Sequence, residues 1–140
     1  LAEVFKLYAD PDRLAERSTT LRLLTRGVAD IRAQAQRLIA VLVDACGPIG
    51  SVEVVACSSQ IGSGAQPGEL LESAGLALLP TEGRGTGKTL ERIAAAFRAL
   101  PIPVIGRIEG GVFLLDLRCL EDEPAFLAQL AQFSLTEKAR

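Results

Sequence analysis

The sequence predicts an α+β fold, a two-layer sandwich in which a small mixed or antiparallel sheet of about four strands carries helices on one face. Three observations predict this class. One long segment repeats apolar residues at intervals of three and four, two short apolar segments lie between turn residues, and a strand–turn–strand pattern precedes a last helical segment. With 140 residues, the usual length of one domain, we expect a single domain over residues 1–140.

The first third of the sequence predicts a short helix followed by a long one. Asp10-Pro11 marks a break, after which Arg13 to Arg17 form a short helical segment. We expect a long helix from Thr20 to Ala45, ended by Gly47-Pro48. Its apolar residues recur on one face: Leu23, Leu24, Val28, Ile31, Ala35, Leu38, Ile39 and Leu42.

The middle and the end of the sequence predict two strands and two further helices. The strands run from Val52 to Cys57 and from Leu76 to Leu79. A helix from Thr89 to Leu100 follows, because its apolar residues share one face and Pro101 stops it. The last helix is expected from Glu121 to Phe133, with acidic residues in its first turn. It should bury Phe126, Leu127, Leu130 and Phe133.

A β-hairpin is predicted between the last two helices. Val104, Ile105 and Ile108 form its first strand, Glu109-Gly110-Gly111 the turn, and Val112 to Leu115 the start of the second strand. On this prediction Arg107 and Arg118 lie on paired strands.

Composition excludes several function classes. There is no histidine, so neither a Ser-His-Asp triad nor an imidazole metal ligand exists. Cys46, Cys57 and Cys119 have no C-x-x-C spacing, which indicates buried, reduced thiols in a cytoplasmic protein rather than disulfides or a metal site. The net charge of −2 argues against a dedicated nucleic-acid surface. No apolar run approaches the ~20 residues of a membrane span.

Gly83 to Thr89 imitates a phosphate-binding P-loop between an apolar strand and a helix. The spacing fails by one residue, since Glu82 occupies the position where that motif needs glycine. A carboxylate there would also repel the phosphates that backbone N–H groups must bind. We therefore interpret the segment as a glycine-rich loop before a helix.

The better candidate for a binding site is the segment from Ser58 to Gly64, a turn expected after the first strand, together with the hairpin arginines. Its hydroxyls and backbone N–H groups suit a carboxylate or a phosphate. Its side chains could instead form hydrogen bonds only with the neighbouring backbone. A guanidinium in an apolar strand needs solvent, an acid or an anionic ligand. Arg118 could equally form a surface pair with Asp116. Arg22 and Arg26 are expected on a solvated helix face.

Several short sequence segments resemble those of a known family. They occur here in the family's order: TLRLLTR, AQRL, SSQIGSGAQP, ESAGLAL, LPIPVIGRI and LDLRCLEDE. The family is bacterial selenocysteine synthase, L-seryl-tRNA(Sec) selenium transferase. The resemblance implies that the chain is the small carboxy-terminal domain of a fold-type-I pyridoxal-phosphate enzyme, which converts seryl-tRNA(Sec) to selenocysteinyl-tRNA(Sec) with selenophosphate as selenium donor.

The resemblance also implies what this chain lacks and which residues line a pocket. The cofactor lysine would lie in a large domain and the tRNA-binding domain further upstream, so the fragment alone is expected to be inactive, and the whole enzyme to be a cytoplasmic homo-oligomer. Because the small domain would close over the cofactor, the implied substrate-binding candidates include an arginine, with Arg107 and Arg118 both open. The implied loop candidates are Ser59, Gln60 and Ser63 for substrate or anion, and Gly62 and Gly64 for pocket lining.

Two alternatives stay open at this point. A related pyridoxal-phosphate enzyme acting on a free amino acid could use the same small domain. A stand-alone α+β module could bind a small anion through the same arginines and loop.

Overall fold

The computed structural model describes residues 3, 6, 9–60, 70–81 and 86–135 of the protein. Its helices, in chain order, are α1 (Leu14–Arg17), α2 (Thr19–Leu24), α3 (Val28–Cys46), α4 (Thr86–Arg98) and α5 (Glu123–Leu130). Short 3-10 turns precede α1 and follow α3, at Pro11–Arg13 and Gly47–Ile49.

In the described part of the chain, four strands form one sheet: β1 (Gly50–Gln60), β2 (Leu70–Pro80), β3 (Arg107–Glu109) and β4 (Val112–Asp116). Their order is β1-β2-β4-β3, and every neighbouring pair is antiparallel. The first two strands pair along their whole length, from Gly50 opposite Pro80 to Gln60 opposite Leu70. The predicted α+β class and four-stranded sheet are therefore confirmed, and both early strands are longer than their apolar segments indicated.

The helices pack against one face of the sheet and enclose the core. Phe97 of α4 stacks on Phe113 of β4, with ring centroids 5.4 Å apart, and meets Phe133 at 4.5 Å. The core side chains include Ile31, Ala35, Leu38, Leu42, Val52, Ala74, Leu76, Leu78, Leu90, Ile93, Phe97, Phe113, Leu115, Phe126 and Leu130. The opposite sheet face carries alternate residues of the same strands, because side chains alternate across a sheet.

The single long helix predicted from Thr20 to Ala45 is wrong, because the chain breaks between α2 and α3. Thr25 leaves the helical conformation, and Gly27 is extended (φ −67°, ψ 138°) as the N-cap of α3. The carbonyls of Leu23 and Leu24 instead accept hydrogen bonds from the Arg118 guanidinium. Apolar periodicity continues through the break, so a pattern-based prediction passes over it.

The hairpin is present but shorter than predicted. Its turn is Gly110-Gly111, with φ of 57° and 81°, a region in which glycine carries no Cβ penalty. Val104 and Ile105 lie before β3, whereas Arg118 lies beyond the end of β4. The prediction that both arginines occupy paired strands is thus correct for Arg107 and wrong for Arg118.

Candidate functional site

Arg107 lies on the open face of the sheet beside the end of β1. Its Nη2 donates to the carbonyl of Ser58 at 3.0 Å, and its Nε donates to Glu109 Oε2 at 2.9 Å. Its Nη1 is 3.8 Å from Asp116 Oδ2. The side chain remains 41% exposed, so it is accessible to a ligand.

Asp116, at the end of β4, is the centre of a polar cluster next to Arg107. Ser59 donates its hydroxyl to Oδ2, Ser73 donates to Oδ1 at 2.7 Å, and the backbone N–H of Arg118 donates to Oδ1 at 3.1 Å. Burial works to raise the pKa of Asp116, but these hydrogen bonds and the charge of Arg107 outweigh it and lower the pKa below its ordinary value. The carboxylate is therefore ionised and holds β1, β2 and β4 together at this point.

Cys57 sits opposite Ser73 in the β1–β2 register, on the same face as Arg107. Burial and the negative charge of Asp116 raise the pKa of this thiol, although Arg107 and Ser73 act against the shift. The neutral thiol is a poor nucleophile, so the geometry indicates a lining residue rather than a reactive one.

Arg107 and Cys57 border a groove of about 750 Å³ on the open sheet face. Its floor is apolar, formed by Val55, Ala77, Leu79, Val112 and Leu114. Its charged residues are Glu53, Glu109 and Arg107. Because the two acids outnumber the one base, an anion is attracted only at the Arg107 edge.

Arg118 has a different role from Arg107. It is 5% exposed, and its Nη1 donates to the carbonyls of Leu23 (3.0 Å), Leu24 (3.2 Å) and Arg26 (3.1 Å). Its Nη2 donates to the carbonyl of Glu72. The predicted surface pair with Asp116 is wrong, since the side chain is buried and only the backbone N–H of Arg118 contacts that carboxylate.

Arg26 completes a reciprocal arrangement with Arg118, which we call the arginine pair. Its Nη1 donates to the carbonyls of Leu117 (3.0 Å), Arg118 (2.7 Å) and Leu120 (3.1 Å), and its Nη2 to Gln34 Oε1 at 3.0 Å. Each arginine therefore binds the backbone around the other. The solvated face expected for Arg26 is wrong, and its neighbour Arg22 forms an ion pair with Glu121 at 2.6 Å.

The loop candidates are placed only in part. Ser59 and Gln60 belong to strand β1 rather than to a turn, and Gln60 lines the groove. Gly62, Ser63 and Gly64 lie outside the described residues, as do Gly83 to Gly85 of the P-loop-like segment. Sequence reasoning missed Ser73 and Cys57. The sequence carries no signal for them, because only the β1–β2 register places Cys57 opposite Ser73.

The lysines among the described residues lie in other parts of the chain than the polar cluster at Asp116. Lys6 and Lys88 are both exposed and belong to other parts of the chain, Lys6 pairing with Glu3 at 2.7 Å and Lys88 lying in α4. The polar cluster at Asp116 thus contains no described lysine for a Schiff base, and the described residues do not fit covalent pyridoxal phosphate. They also include no cluster of potential metal ligands and no helix long and apolar enough to cross a membrane.

All three cysteines are free, but they are not uniformly buried. Cys46 is buried, Cys57 is half-buried and Cys119 is exposed. The expectation of buried thiols is wrong for Cys119, because it lies in the turn after β4, where the chain leaves the sheet.

The fold and the site define the class of protein: a two-layer α+β domain with a polar cluster at one end of an open sheet face. Comparison with known proteins is more specific. A family model described as L-seryl-tRNA selenium transferase matches residues 1–121. The chain belongs to this family.

Three relatives named L-seryl-tRNA(Sec) selenium transferase show the extent of the match. The protein of Methylocella silvestris is 56% identical over 126 residues, which are 90% of this chain and 26% of that protein. That of Rhizobium meliloti is 48% identical, over 95% of this chain and 28% of its own length. That of Salmonella paratyphi B is 50% identical, over 93% and 28%. The chain thus spans little more than a quarter of these relatives.

Proposed function

We propose that this chain is the small carboxy-terminal domain of an enzyme that converts seryl-tRNA(Sec) to selenocysteinyl-tRNA(Sec) in selenocysteine biosynthesis. The observation that carries the proposal is the family match over residues 1–121. The names of the relatives supply the tRNA substrate and the selenium transfer. Since the matched region is 26% to 28% of these relatives, the activity belongs to the whole enzyme.

Pyridoxal phosphate and selenophosphate enter this proposal as groups bound by the whole enzyme. The cofactor would supply the electron sink for replacing the serine hydroxyl by selenium, on a lysine outside this chain. Since the described residues do not fit the cofactor, the 140-residue chain alone should be inactive. We also propose that the whole enzyme is cytoplasmic, because a tRNA substrate and free cysteines fit that compartment. That it is a homo-oligomer is proposed from the family resemblance alone.

Within this domain we propose Arg107 as the residue that meets a substrate carboxylate or phosphate. Arg107 is 41% exposed and adjoins the end of β1, whereas both Nη atoms of Arg118 donate to backbone carbonyls. Guanidinium geometry suits either anion. Ser59 and Gln60 would flank the anion, with Ser63, Gly62 and Gly64 following in the same segment.

A domain replacement tests the proposal. The matching region of the Methylocella silvestris relative is replaced by this chain, and formation of selenocysteinyl-tRNA from seryl-tRNA(Sec) is measured. We expect activity comparable to the parent. A chimaera that folds and binds its cofactor normally but forms no product would contradict the proposed function.

Two matched variants of the same chimaera test the assignment of Arg107. Arg107→Gln should lower kcat/KM at least tenfold, since a charge-assisted hydrogen bond contributes about 1.5–3 kcal/mol. Arg98→Gln removes an exposed arginine of α4 and should leave kcat/KM unchanged. Equal activities of the two variants in an active chimaera would remove Arg107 from the site and leave the family function intact.

A further inference from the structure

In the described part of the chain, strands β1 and β2 extend further than the strand beside them. They pair with each other along their whole length, whereas β4 pairs with β2 only over residues 75–78. Residues 57–60 and 70–73 therefore form a two-stranded extension, which we call the ribbon. Two-stranded ribbons twist more strongly than wider sheets and are only marginally stable by themselves. Contacts other than strand pairing are therefore needed to fix the position of the ribbon.

The Asp116 carboxylate binds both strands of the ribbon. It accepts hydrogen bonds from the hydroxyl of Ser59 in β1 and, at 2.7 Å, from the hydroxyl of Ser73 in β2. Gly75 lies opposite Asp116 in the β2–β4 register, and a Cβ at this glycine would overlap the carbonyl oxygen of Leu115. The close approach of β2 and β4 at Gly75 thus fixes the backbone from which the carboxylate reaches the ribbon.

The guanidinium of Arg107 is oriented by the same ribbon. Its Nη2 donates to the carbonyl of Ser58 at 3.0 Å, and its Nη1 is 3.8 Å from Asp116 Oδ2. A separation of 3.8 Å is too long for a hydrogen bond, so this second attraction is electrostatic. Because Ser58 directly precedes Ser59 in β1, a shift of the ribbon would move the acceptor that orients Arg107. Asp116 therefore acts on Arg107 both by its charge and through the ribbon.

An anion at Arg107 also lies near the negative charge of Asp116, which would repel it. Coulomb's law by itself therefore predicts that loss of the carboxylate strengthens anion binding severalfold. Loss of a positioning contact predicts the opposite, because a guanidinium that must be ordered on binding lowers the affinity. The sign of the change in anion affinity distinguishes the two roles.

We propose that Asp116 is a positioning residue for the anion site at Arg107, since it holds the ribbon and, through the ribbon, the acceptor that orients the guanidinium. The proposal rests on the proposed function of this domain, in which Arg107 meets a substrate carboxylate or phosphate. Asp116 acts through its neighbours rather than by binding the anion, because its oxygens accept hydrogen bonds from Ser59, Ser73 and the backbone N–H of Arg118.

Calorimetric titration of the chimaera with inorganic phosphate tests the proposal, and a parallel titration with acetate distinguishes a phosphate site from a carboxylate site. Asp116→Ala removes the contacts to both strands of the ribbon and should weaken anion binding at least about threefold, although it also removes a negative charge. Ser73→Ala keeps that charge and removes one hydrogen bond, so it should weaken binding in the same direction but less. The matched control Ser51→Ala changes an exposed serine near the other end of β1 and should leave the affinity unchanged.

Stronger or unchanged anion binding in Asp116→Ala overturns the proposal, because the carboxylate would then act only as a competing charge. Equal affinities of Ser73→Ala and Ser51→Ala exclude the ribbon as the connection. Binding of neither anion, or binding that Arg107→Gln leaves intact, also overturns the proposal, since no anion then lies at Arg107. Asp116→Glu keeps the charge and displaces the carboxylate by one methylene group, so it should also weaken binding. This variant decides the matter if circular dichroism shows that Asp116→Ala does not fold.

The positioning role and the proposed function fail separately. A chimaera that forms no selenocysteinyl-tRNA contradicts the proposed function, and the titration, which needs no turnover, still tests Asp116. An active chimaera whose anion affinity does not depend on Asp116 overturns the positioning role alone.

Discussion

Replacing Arg118 by methionine should strongly destabilise the domain, because Arg118 connects three separate parts of the chain. The change removes hydrogen bonds to the carbonyls of Leu23, Leu24, Arg26 and Glu72. Each hydrogen bond to a charged group is worth about 1.5–3 kcal/mol and each acceptor left unsatisfied costs about 1–3 kcal/mol. These values do not add fully, since α2 has no buried residue and water can reach its carbonyls once it moves.

Removal of a buried charge also recovers part of its desolvation cost. We therefore expect a net loss of about 3 kcal/mol in the free energy of unfolding, equivalent to a fall of about 10 °C in Tm for a domain of this size. Urea unfolding followed by circular dichroism measures the first quantity. Amide hydrogen exchange should increase most in residues 19–27, where the carbonyl acceptors lie.

Arg98→Met is the matched control, because Arg98 is exposed and its loss should change stability by less than about 0.5 kcal/mol. Arg118→Lys adds a second comparison, since an ammonium cannot reproduce the planar set of guanidinium donors. A loss below about 1 kcal/mol in Arg118→Met, with unchanged exchange in residues 19–27, would refute the structural role assigned to Arg118.

Three further predictions concern the cluster, the groove and the core. The pKa of Asp116 is lowered in the folded protein, so its ionised carboxylate stabilises the fold fully above the ordinary aspartate pKa near 3.8. This stabilisation is lost as pH falls through the folded-state pKa. Asp116→Asn should therefore flatten the dependence of the unfolding free energy on pH below about pH 4. Glu109→Gln should strengthen phosphate binding measured by calorimetry, because Glu109 competes for Arg107 at 2.9 Å. Phe97→Ala should cost about 3–5 kcal/mol in urea unfolding, since Phe97 is fully buried between Phe113 and Phe133.

The following outcomes and control substitutions would contradict these three predictions. If the Asp116→Asn variant unfolds in acid like the parent, ionisation of Asp116 does not contribute to the pH dependence of stability. Glu53→Gln lies in the same groove without contacting Arg107 and should change phosphate affinity less than Glu109→Gln. Ala96→Gly, in the same helix, should cost only the ~1 kcal/mol of helix propensity, and a Phe97→Ala loss no larger than this would exclude a packing role.

The local sequence patterns predicted which segments are helices and which are strands, but they did not predict where these elements begin and end. The final helix begins at Glu123 rather than Glu121, because the Asp122 side chain caps it by accepting from the N–H of Ala125 at 2.9 Å. The predicted boundary extended over residues that have helical composition but serve as cap and turn. Strand β2 extends back to Leu70 because it pairs with β1 along its whole length, a partner that no local pattern specifies.

The candidate site was predictable in its parts but not in its arrangement. A serine-rich segment after the first strand and an arginine in an apolar hairpin made Ser59 and Arg107 candidates, and both stay predictions. The roles of Arg107 and Arg118 could not be separated, since each is an arginine two residues from an acid, Glu109 or Asp116, in the same stretch. Ser73 gave no signal of its own, because only the β1–β2 register and the reach of Asp116 bring it into the cluster.

The sequence by itself determined the α+β class, the four-stranded sheet and, through its characteristic short segments, the family. These properties depend on periodicity, turn residues and the order of short segments along the chain. Only the tertiary structure decided that Arg118 is buried while Arg107 is exposed, and that the helical pattern breaks after α2. The physical reason is that a guanidinium takes the acceptors within its reach, and for Arg118 the fold supplies carbonyls more than 90 positions away along the chain.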